Sequence, residues 1–191
     1  MTYLLAAAGL SILRALGIAR GEIPAIARLD KFRGRCPDPR KVGELNTAVV
    51  LSRAVGGPVE LDLVATDAPE SLLAARLLVM CAEETKAARP RGYVAVKRFT
   101  PGSYEGAAEL IEAAVARLAS AEGDKYVSVT TGFNLEAVYL ALAGWIAGAQ
   151  VIYVDEEGNL HRVPQISVGI DDLPPELRRG RLAAGRRGLF K

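Results

Sequence analysis

The sequence predicts a three-layer α/β fold, with a mostly parallel sheet of about six strands and an antiparallel hairpin at its C-terminal edge. Three observations predict it. Apolar runs of strand length alternate with helical patterns along most of the chain, as parallel strands joined by crossover helices require. Gly, Pro, Asn and Asp punctuate the junctions between them. The last two apolar runs are separated by only a few residues, a spacing that calls for an antiparallel hairpin. At 191 residues, half of them hydrophobic and 24% charged, the chain suits one domain with a sizeable core and is too apolar for disorder.

Taken in order, residues 2–8 form a buried strand ended by Gly9, and residues 10–16 a short helix. Residues 17–43 are rich in Gly, Pro and Arg and lack periodicity, so they read as an irregular, exposed connection. Residues 42–54 are helical, and Gly56-Gly57-Pro58 stops them. Residues 60–65 are the second strand. Pro69 suits the first turn of a helix that runs to about Thr85. Residues 93–99 are the third strand, and Ser103 is placed to cap the next helix. There Ala107, Leu110, Ile111, Ala114, Val115 and Leu118 follow the i, i+3, i+4 pattern, with Glu105, Glu109 and Glu112 pointing away.

Residues 125–129 are the fourth strand, 134–147 a helix, and 150–154 the fifth strand. Asp155 to Gly158 turn the chain into a sixth strand at 160–163. The expected division is one domain over residues 1–168 followed by a basic tail over 169–191. The helix at 134–147 is apolar in several directions: Leu135, Val138, Tyr139, Leu142, Trp145 and Ile146 do not share one face, and Glu136 is its single charge. Such a helix is buried on more than one side. One side packs on the sheet. The other is covered by a second copy in a two-fold dimer, or by residues 17–43 of the same chain.

Composition excludes several classes. No apolar run reaches the roughly 18–20 residues of a membrane span, and the N-terminus lacks the basic region of a signal peptide. Cys36 and Cys81 form neither a framework nor a metal spacing, which predicts a reducing, cytoplasmic setting. Few Asn, Gln, Cys and Met beside abundant Arg point to a thermophilic source. Net charge is +2, so nucleic-acid binding has no global signature. Residues 176–191 nevertheless carry Arg178, Arg179, Arg181, Arg186, Arg187 and Lys191 against Glu176, a net of +5 that leaves −3 for the rest. That tail is either a solvated terminus or a contact for a phosphate-rich partner.

Three polar turns follow strands at one end of the predicted sheet, where open α/β sheets bind ligands. Gly9-Leu10-Ser11 follows the first strand: glycine permits close approach of the backbone, and Ser11 can donate, accept or cap. Thr66-Asp67 follows the second, with capping of the next helix as its expected role. Thr130-Thr131-Gly132-Phe133-Asn134 follows the fourth and opens the apolar helix. Helix N-termini favour phosphate, although Thr131 or Asn134 could equally serve as a cap. His161, the single histidine, lies in the final hairpin away from these turns. Asp155, Glu156 and Glu157 read as turn residues. No metal cluster and no cofactor is expected.

The run from Thr130 to Asn134, its apolar helix, then Gln150-Val151-Ile152-Tyr153-Val154, Leu160 and Arg162-Val163-Pro164, resembles the C-terminal half of the CRISPR-associated Rossmann fold (CARF) domain. Upstream, Gly9-Leu10-Ser11-Ile12-Leu13 and the segment Asp62 to Glu70 are similar to its other ligand-side motifs. The resemblance implies a Rossmann-like homodimer that binds a cyclic oligoadenylate, most often the four-membered ring, across the dimer cleft in type III CRISPR antiviral signalling. Gly9, Leu10, Ser11, Thr66, Asp67, Thr130, Thr131, Gly132, Phe133 and Asn134 would line the site. About 23 residues follow Val168, so a free-standing copy similar to the ring nucleases is expected. In those, the ribose 2′-hydroxyl attacks the adjacent phosphate without metal, and Ser11 would be the catalytic position here.

The sequence departs from the family pattern at Thr131, where a glycine is usual, and at Asn134, where a lysine is usual. A neutral amide supplies less to a developing phosphorane than an ammonium, and losing such a donor costs on the order of 10²–10³ in rate. The departures weigh against catalysis more than against binding, unless an arginine such as Arg33 or Arg35 replaces the charge. A nucleic-acid-binding or regulatory module acting through the Arg-rich tail is the alternative. An ordinary Rossmann-like nucleotide enzyme would need a catalytic base that the sequence does not reveal.

Overall fold

The computed structural model describes residues 1–19, 29–97, 104–130 and 134–177. Six strands, β1 (Thr2–Ala7), β2 (Val59–Thr66), β3 (Ala88–Val96), β4 (Asp124–Ser128), β5 (Gln150–Val154) and β6 (Leu160–Arg162), form one sheet in the order β3-β2-β1-β4-β5-β6. Every pairing is parallel except the β5–β6 hairpin. The helices are α1 (Ser11–Ala15), α2 (Gly43–Val55), α3 (Pro69–Glu84), α4 (Glu105–Ala119) and α5 (Asn134–Ile146).

Side chains alternate across each strand, and the sequence uses both faces. Leu4 and Ala6 of β1 join a core with α1, α2 and α3, while Tyr3, Leu5 and Ala7 join a second core with α4 and α5. A strand buried on both faces reads as a continuous apolar run, as Leu4-Leu5-Ala6-Ala7 does. Past Val168 the chain still contributes to the second core, through Ile170, Leu173 and Leu177.

Two features differ from expectation in ways the residues explain. Strand β3 begins at Ala88 and not at Tyr93. Its first half, Arg89-Pro90-Arg91-Gly92, hides a strand behind charge and proline, which an edge position tolerates. The register slips opposite Leu61 and Asp62, where Gly92 takes φ of 121°, a value few other residues adopt. The cysteine reading is also corrected: Cys36 and Cys81 are joined in a disulfide across 45 residues of sequence. The argument from cysteine count to a reducing setting therefore does not hold. The described part of the connection, residues 29–43, is anchored as well: Leu29, Phe32 and Cys36 pack on the first core, and the Gly34 N–H donates to Glu84.

Capping also departs from expectation. The residue ahead of α3 is Ala68, with no side-chain cap, so neither Thr66 nor Asp67 caps this helix. Pro69 at the first helical position pushes Ala68 into extended backbone, and Ser71 Oγ reaches back to accept the Thr66 N–H at 2.9 Å. Ser103 lies outside the described residues. α4 is preceded by Tyr104, again without a side-chain cap.

Toward the amino ends of the strands, the second core encloses an ionic group. Asp62, 1% exposed, accepts the Tyr3 hydroxyl at 2.9 Å and pairs with Arg117 at 3.3 Å. Buried charge is tolerated only with such partners.

Candidate functional site

The chain's first crossovers pack on one face of the sheet and its later ones on the other. The change of direction falls between β1 and β4, neighbours in the sheet but distant in sequence. Such a switch point leaves a crevice outside the strands' carboxyl ends. Gly9 to Ser11 emerge from β1 on one side of it and Thr130 from β4 on the other. Thr66 and Asp67 end β2, one strand further out.

The structure brings the two flanking turns onto a single helix. Glu44, in the first turn of α2, is fully buried. One of its carboxylate oxygens accepts the Gly9 N–H at 2.6 Å, and the other accepts the Ser11 hydroxyl at 3.1 Å. Thr47, three residues on and also fully buried, donates to Thr130 Oγ1 at 3.2 Å. Residues at i and i+3 share a helix face, so α2 brackets the crevice with one side chain on each turn. Thr130 Oγ1 also accepts the Val154 N–H at 2.9 Å, and the Thr130 N–H donates to Ser128 Oγ at 3.3 Å.

Neither Glu44 nor Thr47 was singled out from the sequence. The signal was present: Glu44 lies in line with Thr47, Ala48 and Leu51 on the buried face of α2, and a carboxylate aligned with an apolar stripe is rarely buried without a partner. Ser11 does not act as a cap, since Leu10 precedes α1 and no side chain caps it. Thr66 is buried and Asp67 exposed, with the Asp67 N–H donating to Val96 at 2.8 Å. Thr131, Gly132 and Phe133 lie outside the described residues, as does the Asn134 side chain. Arg33 and Arg35 flank Gly34, which is held at Glu84, the last residue of α3. That end of α3 lies beside the amino ends of the strands, so neither arginine starts near the crevice.

His161 sits on β6, exposed, with Nε2 2.7 Å from Asp155, away from the crevice. Among the described residues, no group of three or more His, Cys, Asp or Glu is placed to hold a metal ion, and no helix is long and apolar enough to cross a membrane. A shallow pocket lined by Leu29, Arg76, Val79, Arg91, Gly92 and Tyr93 lies on the β3 edge. It shares no residue with the bracketed turns.

Behind the crevice, α5 packs so tightly on the sheet that a Cβ at Gly144 would meet Val127 and Val151 side chains at 3.1 Å. Leu140, Ala143 and Ile146 are buried there, whereas Leu135 and Val138 are each 59% exposed. Residues 29–43 pack on the opposite face of the sheet, so that part of the connection does not cover α5.

A doubly wound parallel sheet with helices on both faces and a switch point between its first and fourth strands defines a Rossmann-like protein. Residues 40–166 match the model of a CRISPR-associated protein family, Cas_APE2256, and the chain belongs to that family. The matched span holds Glu44, Thr47 and the turn after β4; Gly9 to Ser11 precede it. No curated protein matches the sequence. Among solved structures, Can2 from Sulfobacillus thermosulfidooxidans in complex with cyclic tetra-adenylate is similar at a TM-score of 0.42 and 12% identity. The match covers 90% of this chain and 40% of that one, so this chain spans less than half of its length.

Proposed function

We propose that this CRISPR-associated protein binds a cyclic oligoadenylate, with cyclic tetra-adenylate the first candidate, in the crevice between the β1 and β4 turns. A second copy docked on α5 would complete the site. The observation that carries the reading is the bracket: Glu44 and Thr47 hold both flanking turns of a switch-point crevice, in a chain whose motifs there resemble the CARF domain. Ring cleavage is the weaker part of the proposal, because Asn134 stands where a lysine is usual. The test is incubation of the protein with radiolabelled cyclic tetra-adenylate without metal. Retention of the intact ring is the expected result. Linear products would add a ring nuclease activity, and Ser11→Ala should then slow it. Neither retention nor cleavage would overturn the reading.

The Arg-rich tail supports a second reading, in which residues 176–191 contact nucleic acid, on the strength of their net charge of +5. Deleting residues 178–191 should then lower the salt slope of RNA or DNA binding by several units. An unchanged slope removes the tail from binding.

A further inference from the structure

We infer that the β1 turn reads a hydroxyl of the ligand, in the first place a ribose 2′-hydroxyl, and that Glu44 is the positioning residue that makes it do so. The inference rests on the proposed ligand class and specifies which part of that ligand each side of the crevice contacts. A glycine amide and a serine hydroxyl after a strand suit a phosphate only while their hydrogens are free. Here both are committed. The Gly9 N–H donates to Glu44 at 2.6 Å, and the Ser11 hydroxyl donates to the other oxygen of the same carboxylate at 3.1 Å. An ionised carboxylate only accepts, so it fixes the direction of both bonds.

A hydroxyl carries one hydrogen and two lone pairs. With its hydrogen held by Glu44, Ser11 has acceptor capacity alone to offer. Ser11 and Gly9 are half-buried, whereas Glu44 is fully buried. The accessible member of the group is therefore an acceptor, backed by a carboxylate that a ligand does not reach. An acceptor pairs with O–H or N–H groups and not with phosphate oxygens, which have no hydrogen at neutral pH. Helix α1 offers no alternative anion site, because it is only five residues long. Within a ring of ribonucleotides, hydroxyl donors occur at the 2′ positions. The β1 turn thus distinguishes ribose from deoxyribose, and the phosphates are left to the β4 side of the crevice.

The experiment compares retention of cyclic tetra-adenylate with that of its all-2′-deoxy counterpart, by wild type, Ser11→Ala and Glu44→Gln. Wild type should hold the ribose ring about ten-fold more tightly, the worth of one hydrogen bond in a site that excludes water. Ser11→Ala should reduce the preference to within about two-fold by removing the acceptor. Glu44→Gln should do the same by another route: its amide N–H faces a neighbour that was donating, so Ser11 turns to accept from it and loses its fixed orientation. Binding of the deoxy ring should stay within about three-fold of wild type in both variants, a result that collapse of the site would not produce. Equal binding of the two rings by wild type, or a preference that survives both substitutions, overturns the inference while ring binding stands. Failure to bind either ring removes the proposed function, and this inference with it.

Discussion

Thr47 Oγ1 and Thr130 Oγ1 meet at 3.2 Å, although 83 residues separate them in the chain. The contact ties α2 to the end of β4. Thr130 Oγ1 also takes the N–H of Val154, a residue 2% exposed, so a single hydroxyl satisfies two donors. Replacing Thr130 by Val keeps the shape and removes the acceptor for both. Leaving buried donors without a partner costs about 1–3 kcal/mol, and Thr130→Val should lower unfolding stability by about 2 kcal/mol in urea titrations. Thr47→Val removes one donor only and should cost about 1 kcal/mol or less. The double variant should cost less than the two single ones together; strict additivity would show that the hydroxyls are not coupled.

How much of this was legible beforehand follows from which interactions are local. The strand and helix order was readable because periods of 2.0 and 3.6 belong to contiguous residues. Val59–Thr66 and Gln150–Val154 therefore fall close to their expected bounds. The start of β3 was hidden because Arg89, Pro90 and Arg91 suit an edge strand and not the apolar run of a central one. The candidate turns were visible as polar residues at strand ends. Their chemistry was not, because the carboxylate that sets it comes from α2, 33 to 35 positions away. The cysteine pair escaped for the same reason: spacing in sequence does not report that residue 36 returns to α3.

The disulfide carries its own expectation. Closing a loop across 45 residues restricts the unfolded chain, by about 4 kcal/mol on the chain-entropy view and by about 2–4 in most proteins. Purified protein, denatured without reductant, should yield no reactive thiol. After reduction it should yield two, and the urea midpoint should fall accordingly. Free thiols in unreduced protein would contradict the Cys36–Cys81 pairing, and an unchanged midpoint would show that the connection is held by Leu29 and Phe32 alone.

The Tyr3–Asp62 pair predicts a dependence on alkaline pH. Burial first, and then the carboxylate of Asp62, push the Tyr3 phenol well above its ordinary range. The unfolded chain ionises this tyrosine at about pH 10, and the folded chain does so only higher. Stability from Tyr3 is thus complete below about pH 10 and is lost as pH rises beyond it. Tyr3→Phe should lower stability by about 1–2 kcal/mol near neutrality, because Asp62 loses one of its donors. The gap between wild type and variant should then narrow between about pH 9 and 11. A gap constant across that window would show that Tyr3 does not titrate differently in the two states.

At the other limit, the hairpin should open in acid. Asp155 lies 2.7 Å from His161 Nε2 and accepts the Asn159 N–H at 2.8 Å and the Asn159 amide at 3.0 Å. The His161 contact first, then those from Asn159, hold its carboxyl well below the usual range. A depressed folded-state value stabilises the hairpin above about pH 4 and is lost as pH falls through it. Carboxyl NMR should show Asp155 titrating below the other exposed carboxylates, with His161→Ala moving it back toward them. An Asp155 midpoint that ignores the substitution would remove His161 as the main cause.

The apolar face of α5 gives the most direct test of the proposed pairing of two copies. Leu135 and Val138 lie three residues apart on one side of the helix and are each 59% exposed, while half-buried Leu142 and Trp145 continue the stripe. The Trp145 indole N–H is buried without a hydrogen-bond partner among the described residues. Contiguous apolar surface of this kind marks an interaction site more often than an inert one, and a two-fold axis lets one face serve both partners. A carboxylate at its centre would be desolvated in the dimer and fully hydrated in the monomer. Val138→Glu should therefore leave monomer stability within about 0.5 kcal/mol, as exposed substitutions do, while shifting sedimentation from dimer to monomer. Retention of cyclic tetra-adenylate should fall with it, because the crevice of one copy holds only half of the proposed site. A wild-type protein that sediments as a monomer at micromolar concentration, yet retains the ring, would sever ligand binding from the α5 face.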